Sequence, residues 1–296
     1  KQSKQLYYQK RKEKSSLASL QLNDTIASSP FPVLQSNYTY ESADYSVIND
    51  LIVFSSNESG FDELWSAKPD GSARKQLTNL RQTIRYPKWS HDGQNVAFLA
   101  PLTEGSGDGN GIYIYSVKNE RVSLLKSPFI RHRRPNWSFD DKAIISTIYG
   151  DKNTDIYSIN IFDASTKRLT FDGARYGIMI AKDTLLYTKL VRGLWRKNVE
   201  SKGKGENVID GEYFNMLYAW TYSNGHIYYQ QSFDDHYQLA SFDLDNNIQT
   251  PLVRLPLNSM PRSDNISYLP ANDSLLFTRT SYPQANIKMI AIDDLF

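Results

Sequence analysis

Pro87-Lys88-Trp89-Ser90-His91-Asp92-Gly93 leads into the apolar stretch NVAFLA at 95–100, and the arrangement returns as Pro135-Asn136-Trp137-Ser138-Phe139-Asp140-Asp141 before AIISTI at 143–148. Each copy reads as strand, tight turn, strand. Asp and Gly fall in the turn because the chain there needs a positive φ or a side chain that caps its own backbone. Weaker copies follow the same template. Asn49-Asp50 precedes LIVFSS, Lys182-Asp183 precedes TLLYTK, Asn224-Gly225 precedes HIYYQQ and Asn272-Asp273 precedes SLLFTR. The turns at 49, 92, 140, 182, 224 and 272 recur every 42 to 48 residues. A period of this length marks propeller blades.

Each unit continues with a third strand: DELWSA, GIYIYSV, DIYSIN, LWRKNV, YQLASF and NIKMIAI. A more polar fourth strand follows, clearest at Lys75-Gln76-Leu77-Thr78 and Lys167-Arg168-Leu169-Thr170, with equivalents at 122–127, 206–210 and 250–254. The sixth unit has no fourth strand before the chain stops at Phe296, and DTIAS at 24–28 is the candidate donor. The sequence thus predicts an all-β chain: a six-bladed propeller of four-stranded antiparallel blades, closed by an N-terminal strand that removes the open edge. The expected division is a basic tail or juxtamembrane segment at 1–20, read as a solvated helix or coil, and the propeller at 21–296.

Composition narrows the function classes. The chain has 296 residues, 40% of them apolar and 13% aromatic, enough for a large core rich in strand-forming side chains. Mean hydropathy is −0.53, and no apolar run approaches 18 residues. With 34 basic and 32 acidic side chains the net charge is +2, which is no footprint for direct nucleic-acid contact. The absence of Cys excludes disulfides, thiolate metal sites and Cys nucleophiles.

The pattern P-x-W-S-x-D-G, an apolar strand, D-(I/L)-(Y/W) and K-x-L-T resembles the repeat of TolB-like bacterial β-propellers. The likeness is strong at 86–99, 135–148, 62–78 and 155–170, and covers about 45–296. It implies the fold more than the function, because similar repeats occur in prolyl-oligopeptidase propellers and in sensor domains. A propeller behind a short basic tail also resembles the C-terminal part of ToxR/CadC-like winged-helix membrane regulators. That resemblance implies an extracytoplasmic, periplasmic sensor attached to the inner membrane by a tether upstream of Lys1. The alternatives are a TolB-like protein-interaction scaffold, or the propeller of a serine peptidase or a lyase.

Recurring side chains explain themselves structurally first. Trp89 and Trp137 read as inner-strand core, Asp92 and Asp140 as turn formers, and Asp62 and Asp155 as partners of turn or neighbouring backbone. The Gly-rich loop 101–111 offers Glu104, Asp108 and Asn110 without a Ca²⁺-loop pattern. His91, His132, His226 and His236 are scattered over separate units, so no metal or cofactor is expected. No G-x-S-x-G elbow occurs, and a non-enzymatic role follows.

The candidate site lies just before the inner strands. Arg85-Tyr86, Arg133-Arg134 and Arg175-Tyr176 hold one place in three consecutive units, with Tyr213 and Arg262 at looser equivalents. In a ring, a repeated position converges on the channel mouth. Guanidinium forks there suit a carboxylate or phosphate. The expected partner is an anionic small molecule or a peptide or protein segment. The competing arrangement is an Arg cap neutralised by water and local Asp.

Overall fold

The computed structural model describes residues 5–10, 14–22, 30–102, 109–150, 154–257, 261–281 and 286–291. Six four-stranded antiparallel sheets make a propeller with almost no helix. In blade 1 the strands are Tyr40–Ser46, Leu51–Ser56, Glu63–Ala67 and Lys75–Gln76. Blade 2 has Arg85–Trp89, Asn95–Pro101, Asn110–Ser116 and Arg121–Leu124. Blade 3 has His132–Trp137, Ala143–Tyr149, Thr154–Asn160 and Thr166–Arg168. Blade 4 has Ala174–Met179, Thr184–Lys189, Gly193–Asn198 and Glu206–Asp210. Blade 5 has Trp220–Ser223, His226–Ser232, His236–Asp243 and Ile248–Pro256. All six expected turns join a first strand to a second.

Blade 6 departs from expectation. Its order is Pro261–Leu269, Ser274–Ser281, Lys14–Gln21, Phe31–Leu34. Two strands from the N-terminal region complete it, not one. Lys14–Gln21 takes the third place and pairs along its length with Ser274–Ser281. The segment NIKMIAI does not fill that place; Asn286–Ala291 pairs with Gln5–Lys10 in a separate two-stranded ribbon. Residues 24–28 lie outside the described residues, and the fourth strand is Phe31–Leu34. The expected helix or coil at 1–20 is therefore corrected to strand at Gln5–Lys10 and Lys14–Gln21. Composition misled because SSLASL is rich in Ser. A third strand is covered on both faces, and small or apolar side chains suit both: Ser15, Leu17, Ala18 and Leu20 are all buried.

Packing is as periodic as the sequence. Six buried clusters lie one at each blade-to-blade contact. The cluster between blades 6 and 1 joins Leu17, Leu34 and Leu276 to Tyr40, Ile52 and Phe54. The K-x-L-T element also acquires a mechanism. Thr170 Oγ1 accepts from Ile156 N at 2.9 Å and donates to Asp155 at 3.0 Å, tying the fourth strand to the third. In blade 1 Thr78 does the same with Leu64 N, but its acid is Glu63 at 2.5 Å, not the expected Asp62.

Closure can be tested at Leu17, which is fully buried. Leu17→Ala should cost about 2–5 kcal/mol of unfolding free energy in urea melts. Phe31→Ala, on a side chain 71% exposed, should change it by less than about 0.5 kcal/mol. Equal effects would show that residues 14–21 are not part of the ring.

Candidate functional site at the channel mouth

The first strands pack against one another around the axis and set the site. In blades 1, 2 and 3 each carries a register shift at the same place, between Glu41 and Asp44, Arg85 and Lys88, and Arg133 and Asn136. The residue inside each shift has left-handed backbone: Ser42 at φ 55°, Tyr86 at 53° and Arg134 at 34°. Pro87 and Pro135 help to cause two of these bulges, because proline gives the ladder no N–H. A bulky residue with positive φ costs roughly 1–3 kcal/mol. That strain re-aims Tyr86 and Arg134.

The two side chains meet. The Arg134 guanidinium carbon lies 4.1 Å from the Tyr86 ring centroid and 3.8 Å from that of Tyr218. Blades 2 and 5 stand opposite in a six-membered ring, so this stack reaches across the mouth. Beside it, Arg133 and Arg175 each approach the Tyr149 ring to 5.2 Å. Arg175 donates from Nη1 to Thr154 Oγ1 at 3.3 Å, while its buried Nε has no acceptor. Burial raises the Tyr218 hydroxyl's pKa, as does Tyr149 facing it, and Arg134 pulls the other way. The result is a mouth rich in cations and hydroxyl groups. From Tyr149 a groove of 500 Å³ runs outward past Phe129, Ile130, Arg131 and Tyr157.

Not every expected residue joins this cluster. Arg85 points toward blade 1, where it lines a 320 Å³ hollow with Glu41 and Asp62. Burial raises the Asp62 pKa there, and the Arg85 charge opposes that rise. Tyr176 is buried, its ring 5.2 Å from Trp220 in the core between blades 4 and 5. Tyr213 is exposed, and its backbone is held by two bonds, its N–H donating to the Asp210 carbonyl at 3.0 Å and its own carbonyl accepting from Gln231 Nε2 at 2.6 Å. Arg262 falls within the strand Pro261–Leu269, and its side chain lies outside the described residues. Arg133, Arg134, Arg175 and Tyr86 do come together.

Tyr149 and Tyr218 escaped the sequence reading. For Tyr218 a signal existed: Tyr86, Arg134, Tyr176 and Tyr218 all stand six residues before the turn positions 92, 140, 182 and 224. Among the described residues there is no group of three or more His, Cys, Asp or Glu able to hold a metal, and no helix long and apolar enough to cross a membrane.

Comparison with known proteins places this ring. No protein-family model matches the chain. A TolB homolog from Chlorobium luteolum is 29% identical over 125 residues, which is 42% of this chain and 27% of that protein. A TolB-like structure from Agrobacterium tumefaciens superposes with a TM-score of 0.68 at 17% identity, over 91% of this chain and 99% of that one. The fold is the TolB-like six-bladed propeller. An enzyme resembles the chain as well: an oligogalacturonate lyase in complex with manganese reaches a TM-score of 0.55 at 10% identity, over 91% of this chain and 77% of that one. The resemblance to winged-helix membrane regulators gains no support from these relatives.

Next to Arg133 in sequence, the buried His132 has its Nε2 2.9 Å from Ser127 Oγ and 3.1 Å from the Phe129 carbonyl. Burial lowers its pKa to about 4, against a smaller upward pull from that carbonyl. The folded imidazole stays neutral while the unfolded one takes a proton below about pH 6.5. Its contribution is therefore complete above pH 6.5 and is lost as pH falls from 6.5 toward 4. Between pH 7.5 and 5 the loss should be about 2 kcal/mol. His132→Leu should show that much less acid sensitivity in paired urea melts; an unchanged difference between the two pH values would contradict the assignment.

Proposed function

We propose that this chain is a non-enzymatic protein-binding propeller of the TolB-like kind, acting in the periplasm, and that its channel mouth takes an acidic segment of a partner polypeptide. One observation carries the reading. Arg175, half-buried beside Tyr149, keeps a buried Nε without an acceptor, and among the described residues neither it nor Arg133 has a carboxylate partner. The Nε itself is closed off, but each guanidinium as a whole lacks a carboxylate, and an incoming one would pair with the nitrogens that stay open to the mouth. Tyr149 supplies a flat wall, and the groove past Phe129 and Ile130 gives an extended segment room to continue outward. Partner recognition through a few Arg and Tyr anchors is how protein interfaces concentrate their affinity.

The test is binding of short Glu- and Phe-containing peptides against the same peptides with Gln for Glu, by fluorescence anisotropy at two salt concentrations. Glu peptides should bind more tightly and lose affinity with salt. Arg175→Ala should weaken them about tenfold or more, since a charge-assisted hydrogen bond is worth roughly 1.5–3 kcal/mol. The thermal midpoint should stay within a few degrees. Equal affinity for Glu and Gln peptides would overturn the proposal.

A further inference from the structure

The other end of the axis holds a second cavity, which the mouth does not use. Below the bulges, each first strand delivers one side chain to the same level: Asp44, Lys88, Asn136, Ile178, Thr221 and Ser267, one from each blade. Together they line a 270 Å³ cavity. Trp89, Trp137, Tyr222 and Tyr268 contribute to its walls.

The floor is asymmetric. Asp44 is fully engaged, with Oδ1 accepting from Lys88 Nζ at 2.7 Å and Ser267 Oγ at 3.1 Å, and Oδ2 accepting from Trp89 N at 2.9 Å. Lys88 is not. Its ammonium has three donors, and among the described residues Asp44 is its one acceptor. Burial alone would lower the Lys88 pKa, but the Asp44 charge, with help from Tyr176, more than reverses this, so the ammonium stays charged. Thr221 is a buried residue lining the cavity, and its hydroxyl has no hydrogen-bond partner among the described residues. The cavity thus offers unspent donors and no free carboxylate. That chemistry excludes a cation and suits an acceptor.

We propose that this cavity is a binding site for a small monocarboxylate with a flat body, its carboxylate held by Lys88 and Thr221 and its body against the Trp and Tyr walls. A single cation already paired with Asp44 favours one negative charge over the two of a phosphate ester. The volume falls just below the roughly 300–1,000 Å³ of drug-sized pockets, which limits the ligand to a few atoms beyond a single ring. Aromatic walls favour a planar body.

Benzoate and its neutral isostere benzamide are the probes, titrated into the full chain while the tryptophan indole N–H signals are followed by NMR. The Trp137 indole is a built-in reporter, because its Nε1 donates to the Lys88 carbonyl at 3.0 Å. Benzoate should shift that signal saturably and bind at least tenfold more tightly than benzamide. Thr221→Val, which leaves the ion pair intact, should weaken benzoate about threefold to tenfold. Lys88→Met alone would strand Asp44, so the paired change Asp44→Asn with Lys88→Met is the decisive variant. It should stay folded and lose the preference for benzoate. Equal binding of the two probes, no saturable shift, or full benzoate affinity in the paired variant would each overturn the proposal and mark the cavity as holding water only. None of these results bears on the mouth, because Arg175 and Tyr149 lie outside this cavity.

Discussion

A four-stranded blade has two apolar faces, and in a propeller each face is covered only by the next blade. The arrangement has no free end, so the last contact must form for any of the others to be complete. Here that contact depends on Lys14–Gln21, which brings Leu17 into the cluster holding Tyr40, Ile52 and Phe54. A chain that closes its ring with a strand far away in sequence must pay the loop-closure entropy late in folding. In return the ring closes between blades 6 and 1, and the first strands pack around one axis. Both axial sites depend on that closure.

Along the axis the same six strands build two unlike environments. At the mouth, bulges put Tyr86 and Arg134 in left-handed backbone, and the strain is offset by stacking of Arg134 on two rings, each cation–π contact being worth about 0.5–2 kcal/mol. Beyond the bulges regular alternation resumes, and the next inward position in each blade faces the cavity floor. There a buried ion pair replaces the aromatic clasp, and Ser267 and the Trp89 amide satisfy the carboxylate that would otherwise be costly to bury. The bulges in blades 1, 2 and 3 thus separate a cation-rich mouth from a nearly neutral cavity.

Rings resembling this one occur both in a TolB-like protein and in a lyase, so the shape does not decide between binding and catalysis. Among the described residues this axis presents guanidinium, phenol, hydroxyl and one ammonium–carboxylate pair. Such groups hold a partner by charge and by flat apolar surface.

The blade count, the turn positions and the identity of nearly every first, second and third strand were legible in the sequence, because each depends on local chemistry. Asp-Gly and Asn-Gly turns, alternation and β-branched or aromatic runs mean the same thing wherever they fall. Arg133, Arg134 and Arg175 were legible as mouth residues for a related reason: in a ring a repeated position becomes a repeated place. The third strand of blade 6 was not legible, since SSLASL at 15–20 and NIKMIAI at 286–292 are both plausible strands, and only covering on both faces selects the smaller side chains. Arg85 turning to Asp62, and Tyr149 and Tyr218 entering the mouth, were likewise decided by which neighbour each side chain meets across a blade contact. The Lys88–Asp44 pair joins residues 44 positions apart that meet where the first strands of blades 1 and 2 pack together. The sequence by itself determined the repeating unit; how the units close, and so which charges share the axis, was decided by packing between blades, which no single repeat encodes.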